Sequence, residues 1–148
     1  MKPIFKTDLA LIVLGLLSLT TGVSIHFAHH FLSHGVWHNW SIVHIIINIL
    51  LLIFVGFHVK QHWGWFKALV KKSSFRKKIS FFIMMAFIAV VLSGAFLLVF
   101  CKGQGSHAGL VHYYLGIIFS VLVIIHVARR FKVLIKGIKS KKYIPTLL

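Results

Sequence analysis

The sequence predicts an all-α integral membrane protein, a four-helix bundle built from two repeated helical hairpins with both termini cytoplasmic. Three observations lead there. Of the 148 residues, 59% are apolar and only 12% are charged, about half the charged share of a soluble globular domain. The charges leave three long tracts untouched. Nearly all the basic residues then collect on what would be one side of a membrane.

The first charge-free tract runs between Asp8 and Lys60, the second from Ile79 to Cys101, and the third from Gly103 to Ala128. A helix needs about 20 apolar residues to cross the hydrocarbon core. The first tract is long enough for two crossings with a turn, and each of the others for one. The expected helices lie near Leu9–Ala28, Trp40–Val59, Ile79–Phe100 and Leu110–Ala128. The Leu9–Val23 run is followed by His-rich sequence instead of a small-residue cleavage site, so it reads as a helix and not as a signal peptide. Residues 1–148 form one domain, with repeat halves of about 1–75 and 76–148. Cys101 is the sole cysteine, which excludes an internal disulfide, and no Cys-x-x-Cys-His attachment motif occurs.

A net charge of +16 could suggest nucleic acid, but its distribution argues for lipid. Lys2 and Lys6 precede the first helix. Lys60, Lys67, Lys71, Lys72, Arg76, Lys77 and Lys78 lie between the second and third. Arg129, Arg130, Lys132, Lys136, Lys139, Lys141 and Lys142 follow the fourth, and only Lys102 lies elsewhere. Cytoplasmic segments carry the Lys/Arg excess, which puts both termini and the central loop in the cytoplasm. The same charges suit anionic headgroups, so membrane lipids are expected partners and nucleic acid is not.

The two halves share a design. Helix 1 carries Thr20-Thr21-Gly22 and helix 3 carries Leu92-Ser93-Gly94, a hydroxyl residue followed by glycine. Helix 2 carries His44 and His58, helix 4 His112 and His126. The offset is 72 residues for the glycines and 68 for the histidines, so the second hairpin has the shorter outer connection. Successive hairpins make helices 2 and 4 co-directional.

An imidazole inside a bilayer is a functional hypothesis by default. In each pair the histidines are 14 residues apart. At 100° per residue, 14 steps fall about 40° short of four turns, so both rings share a face, and the rise of about 21 Å puts one near each side of the membrane. His44 should therefore lie level with His112, and His58 with His126. Two facing imidazoles can fill both axial positions of a haem iron, so the expectation is two b-type haems held by His44, His58, His112 and His126. Four buried histidines bonded between helices are the plain alternative. His62 competes with His58, being five turns from His44, but it follows Lys60 and has no match in the second half.

A ligating histidine donates its other ring N–H to a partner, for which a backbone carbonyl or a Ser/Thr one turn away are candidates. Gly22 and Gly94 either admit the flat macrocycle to helices 1 and 3 or permit close helix packing. Lys60, Arg129 and Arg130 follow the inner histidines and are candidate partners for haem propionates. On the outer side stand Lys102, Trp37, Trp40, Tyr113 and Tyr114, which equally form an interfacial belt. A second cluster comprises His26, His29, His30, His34, His38 and His107. It reads as a wet interfacial loop, as a site for a third haem or a metal ion, or as the proton acceptor of a quinol site. Asp8 is the only carboxylate side chain, which excludes paired-carboxylate acid–base chemistry. No phosphate-cradling loop is present.

These residues resemble the flavinylation-associated cytochrome family of four-helix membrane proteins. The resemblance covers most of the chain. It rests on His38-x-Trp40-x-x-x-His44, on His58 followed by His62-Trp63-Gly64-Trp65, and on Ser93-Gly94 ahead of His112 and His126. The paired histidines are also similar to the dihaem core of respiratory cytochrome b, which implies the same four axial ligands. The crowded His26–His38 segment departs from that pattern. The resemblance implies electron exchange with a flavoprotein, iron–sulfur or multihaem subunit, and a quinone is a further candidate.

The expected function is transmembrane electron transfer in a bacterial or archaeal cytoplasmic membrane. The chain would serve as a multi-pass subunit of an oxidoreductase complex, with no independent catalytic site. The rivals are a His-lined transporter of a transition metal or of protons, and a haem-free membrane anchor of a redox complex.

Overall fold

The computed structural model describes residues 3–31, 34–64, 75–101 and 107–139. They form four helices: α1 (Pro3–Phe31), α2 (His34–Gln61), α3 (Phe75–Phe100) and α4 (His107–Lys139). No strand occurs among the described residues. All four helices are long and apolar enough to cross a membrane, so the architecture is that of a multi-pass integral membrane protein. Large apolar side chains face outward along every helix, with Val99 66% and Phe100 70% exposed. In water that surface would be strongly unfavourable, whereas hydrocarbon accommodates it without penalty.

Each helix outruns the apolar stretch that announced it. Even the shortest, α3 with 26 residues, is roughly 39 Å long at about 1.5 Å per residue, longer than a hydrocarbon core of about 30 Å. Backbone hydrogen bonding carries the helices on into the headgroup region, where side-chain polarity no longer matters. Pro3 opens α1, where its fixed φ and missing N–H do no harm. The largest extension is in α4, which continues through the basic stretch Arg129–Lys139.

Side-chain pairs fix the register. Facing α1 and α2 are Asp8 with His58, Ser18 with Asn48, and Thr21 with His44, so facing residue numbers total about 66. Facing α3 and α4 are Phe87 with Phe119 and Ser93 with His112, for a total of about 206. Both pairs are antiparallel. α1 also lies along α4, with His26 stacked on Tyr113 at one end. At the other end, His126 feels the charges of Asp8 and His58. α1 and α4 are therefore antiparallel too, and α2 and α4 run the same way. The backbones of α2 and α4 stay beyond 8 Å along nearly all their length, so the two helices meet through side chains.

The most enclosed helix is α1. Thr7, Thr21 and Ala28 on it are buried, along with Leu51 on α2. Thr7, Thr21 and Ala28 are separated by multiples of seven residues, which marks one stripe of the helix. The stripe turns toward the histidine-bearing helices.

Candidate metal-binding centre

At the level of His44, α2 and α4 bring two imidazoles together. The ring centroids of His44 and His112 lie 6.4 Å apart, with planes at 83°. Both side chains are half-buried. Each ring is fixed by a hydroxyl from the antiparallel neighbour, not from its own helix. Thr21 Oγ1 lies 2.8 Å from His44 Nδ1, and Ser93 Oγ lies 2.9 Å from His112 Nδ1.

Those hydroxyls favour one tautomer. A serine or threonine has one hydrogen to give. That of Thr21 goes to the Leu17 carbonyl at 2.7 Å, and that of Ser93 to the Val90 carbonyl at 3.0 Å. With its hydrogen placed there, each oxygen accepts from the imidazole, so Nδ1 carries the ring hydrogen and, in the neutral ring, Nε2 keeps a free lone pair. A ring held this way is prepared to ligate a metal through Nε2.

The two glycines seat the rings. A Cβ on Gly22 would stand 3.3 Å from His44 Cε1, and one on Gly94 would stand 3.1 Å from His112 Cε1. Both distances are tighter than ordinary contact. The hydroxyl-then-glycine pair on α1 and α3 is thus one device: the first residue accepts the N–H, and the second makes room for the ring that gives it. The backbone of α2 is tied in as well, since Asn48 Nδ2 donates to the His44 carbonyl at 2.7 Å and Ser18 donates to Asn48 Oδ1 at 2.9 Å.

At the level of His58 the partner is charged. His58 Nδ1 lies 2.9 Å from Asp8 Oδ1, with both side chains about one-third exposed or less. An ionised carboxylate only accepts, so here too Nδ1 bears a hydrogen, and in the neutral ring Nε2 keeps its lone pair. Gln61 donates to Thr7 at 3.0 Å, fastening the end of α2 against the residue preceding Asp8. The His62 ring is 4.6 Å from that of His58. Burial and then the neighbouring His58 hold the His62 imidazole below its usual pKa, with Asp8 opposing and Arg130 reinforcing. Asp8, His58 and His62 offer ligand atoms within 4.8 Å of one another. On α4, His126 lies in electrostatic range of Arg130, His58, Asp8 and His62.

The other candidates are placed as follows. Trp40 lies one turn before His44 and is 39% exposed. Lys60, Arg129 and Arg130 are exposed near the His58 level, where Arg130 acts on both His62 and His126. His26 stacks on Tyr113 at 4.2 Å, and His34 lies 5.4 Å from Trp37. His38 and His107 are exposed, while the side chains of His29 and His30, together with Lys102, lie outside the described residues. Among the described residues, the grouping of three ligand atoms falls at the His58 level and not in this second cluster. Three contributors escaped the sequence reading in their roles: Thr21 and Ser93 as acceptors from the neighbouring helix, and Asp8. A signal for Asp8 existed, since it precedes Gly22 by 14 residues, the spacing of the histidines it must face.

No family model matches the chain, and no curated protein or solved structure is detectably similar to it.

Proposed function

We propose that this chain is a dihaem b-type membrane cytochrome that carries electrons between the two faces of a membrane. His44 and His112 would hold one haem iron, and His58 and His126 the other. The observation that carries the reading is the His44–His112 pair. An imidazole ligates a transition metal from about 2.0–2.1 Å and its ring centre lies roughly 1.1 Å behind the ligating nitrogen, so two on one iron have centres about 6.2–6.4 Å apart. The pair stands at 6.4 Å. Aromatic packing alone tolerates any separation of about 4.5–7 Å. The hydroxyls that leave Nε2 free on both rings favour ligation over packing.

Haem, when bound, supplies the one-electron redox chemistry. The chain supplies the ligands, their orientation and an apolar surround. Thr21, Ser93 and Asp8 keep the rings from rotating, and Gly22 and Gly94 let them sit close to α1 and α3. Lys60, Arg129 and Arg130 offer cations to propionates at the His58 level, and Trp40 stands one turn from His44. The Lys/Arg distribution supports a topology with both termini, the α2–α3 connection and the His58 level on the cytoplasmic side, and a bacterial or archaeal membrane is the expected setting. The two hairpins read as a duplication, with the same hydroxyl–glycine and paired-histidine plan in each. The likeness to flavinylation-associated cytochromes rests on short motifs. It makes a flavoprotein, iron–sulfur or multihaem subunit the expected partner, with a quinone as a further candidate donor. The His26–His38 segment with His107 remains a candidate for a third haem, a metal ion or a quinol-site base.

Purified protein should show a reducible b-type spectrum with two haems per chain. A folded, colourless preparation would refute the reading.

One observation favours a second reading, a transition-metal site in a transporter: the Asp8, His58 and His62 group joins two imidazoles and a carboxylate, a donor set suited to zinc or iron. Metal analysis of haem-free protein separates the two. Stoichiometric zinc or iron lost in His62→Ala supports this second reading, whereas two haems retained in His62→Ala support the first.

A further inference from the structure

We propose that Asp8 is a positioning residue that sets the two iron sites apart, its carboxylate on His58 Nδ1–H holding the midpoint potential of the inner site down. The inference rests on the dihaem reading and deepens it.

Asp8 is the only carboxylate side chain in a chain of net charge +16, and its Oδ1 is 2.9 Å from a proposed ligand ring. The equivalent partners at the other level, Thr21 and Ser93, are neutral hydroxyls. The repeat sharpens the contrast. Asp8 precedes Gly22 by 14 residues, and 14 residues before Gly94 stands Ser80. The α3–α4 register of about 206 sets Ser80 level with His126, as the α1–α2 register sets Asp8 level with His58. Three of the four positions thus carry a hydroxyl and one carries an anion. The anion is the departure from the plan.

Its chemical effect follows from charge. Hydrogen bonding from an imidazole N–H to a carboxylate pushes electron density toward Nε2, so the ring becomes a stronger donor to the metal. Oxidised iron bears one more positive charge than reduced iron, and a stronger donor and a nearby anion both stabilise it preferentially. Hydrogen bonding around the axial ligand is one of the means by which a protein sets a haem potential. Lys60 and Arg130 oppose this effect. Arg130 acts on His126 and His62, and a cation raises the potential. Asp8 differs in touching the ligand itself, so its influence passes through the ring as well as through space. The test is therefore the change on removing the anion, with the cations left in place.

Asp8→Asn retains an oxygen to accept Nδ1–H and loses the charge. Redox titrations of wild-type and variant protein in lipid nanodiscs, followed optically, should show two haems in each. One midpoint should rise in Asp8→Asn by at least a tenfold change in the oxidised-to-reduced ratio, or 59 mV for a one-electron couple. The other midpoint should not move, and Asp8→Glu should restore a value near wild type. Two haems with neither midpoint changed, or with both shifted equally, would overturn the assignment of Asp8 and leave the dihaem reading standing. Wild-type protein without haem overturns both. If Asp8→Asn loses a haem outright, Asp8→Glu decides: a retained haem at a low midpoint supports the inference, and loss in both variants makes Asp8 a packing residue and overturns it.

Discussion

At the His44 level two rings lean on neutral hydroxyls and sit against glycines; at the His58 level one ring leans on a carboxylate and has a second imidazole beside it. The spacing along the helices is the same in both places, yet the surroundings differ. The His44 level lies where no charged side chain occurs in sequence for many residues on any helix. A hydroxyl that spends its own hydrogen on an i−4 or i−3 carbonyl can orient an imidazole there without bringing a charge into hydrocarbon. The His58 level lies near the start of α1 and the end of α2, among Lys60, Arg129 and Arg130, where a partly exposed carboxylate is tolerable. Depth in the bilayer decides which kind of acceptor can hold a histidine.

Breaking the His44 level by bulk should have the largest effect. Gly94→Val and Gly22→Val drive a branched side chain into a ring already within 3.1 or 3.3 Å of a Cβ. Each should remove one haem of two, read from the haem-to-protein ratio, with the other haem spectrally unchanged. The acceptors come next. Thr21→Val and Ser93→Ala leave the ring in place without its hydrogen-bond partner, and should weaken haem retention about 10- to 100-fold, measured by transfer to apomyoglobin. Both should act on the same haem, distinct from the one that responds to Asp8.

A smaller effect separates the glycines. Gly94→Ala should disturb its site more than Gly22→Ala, because the added methyl meets His112 at 3.1 Å and His44 at 3.3 Å. Overpacking of this kind destabilises by about 1–3 kcal/mol, visible as a lower thermal midpoint of haem absorbance. Least of all should follow from Ser18→Ala, which removes a mid-membrane bond to Asn48 that reaches His44 only through its backbone carbonyl. Such interhelical bonds contribute about 0.6 kcal/mol, and the haem count should stay at two.

The bundle was legible in the sequence because charge is so costly in hydrocarbon that its absence outlines the spans. The helix ends were less so: Lys139 ends α4 eleven residues beyond the expected Ala128, since backbone bonding continues after apolarity stops. The meeting of His44 with His112 was expected from 14-residue spacing on co-directional helices, and the 6.4 Å approach has that form. What holds the rings was hidden. A backbone carbonyl or a Ser/Thr hydroxyl one turn away is the local expectation, whereas the hydroxyls of Thr21 and Ser93 reach across from neighbouring helices, a choice set by register. Asp8 looked like evidence only against acid–base chemistry, because a lone carboxylate has no partner in sequence; its partner is 50 residues away.

The central claim is that one imidazole from α2 and one from α4 share a single iron. Haem counting on His44→Ala, His112→Ala and the double variant tests it most directly. Each single change should leave one haem per chain, and the double should leave one as well, with the same spectrum and midpoint as in the singles. A double variant with no haem, or single variants that retain spectrally different haems, would mean that the two histidines serve different sites and would contradict the account.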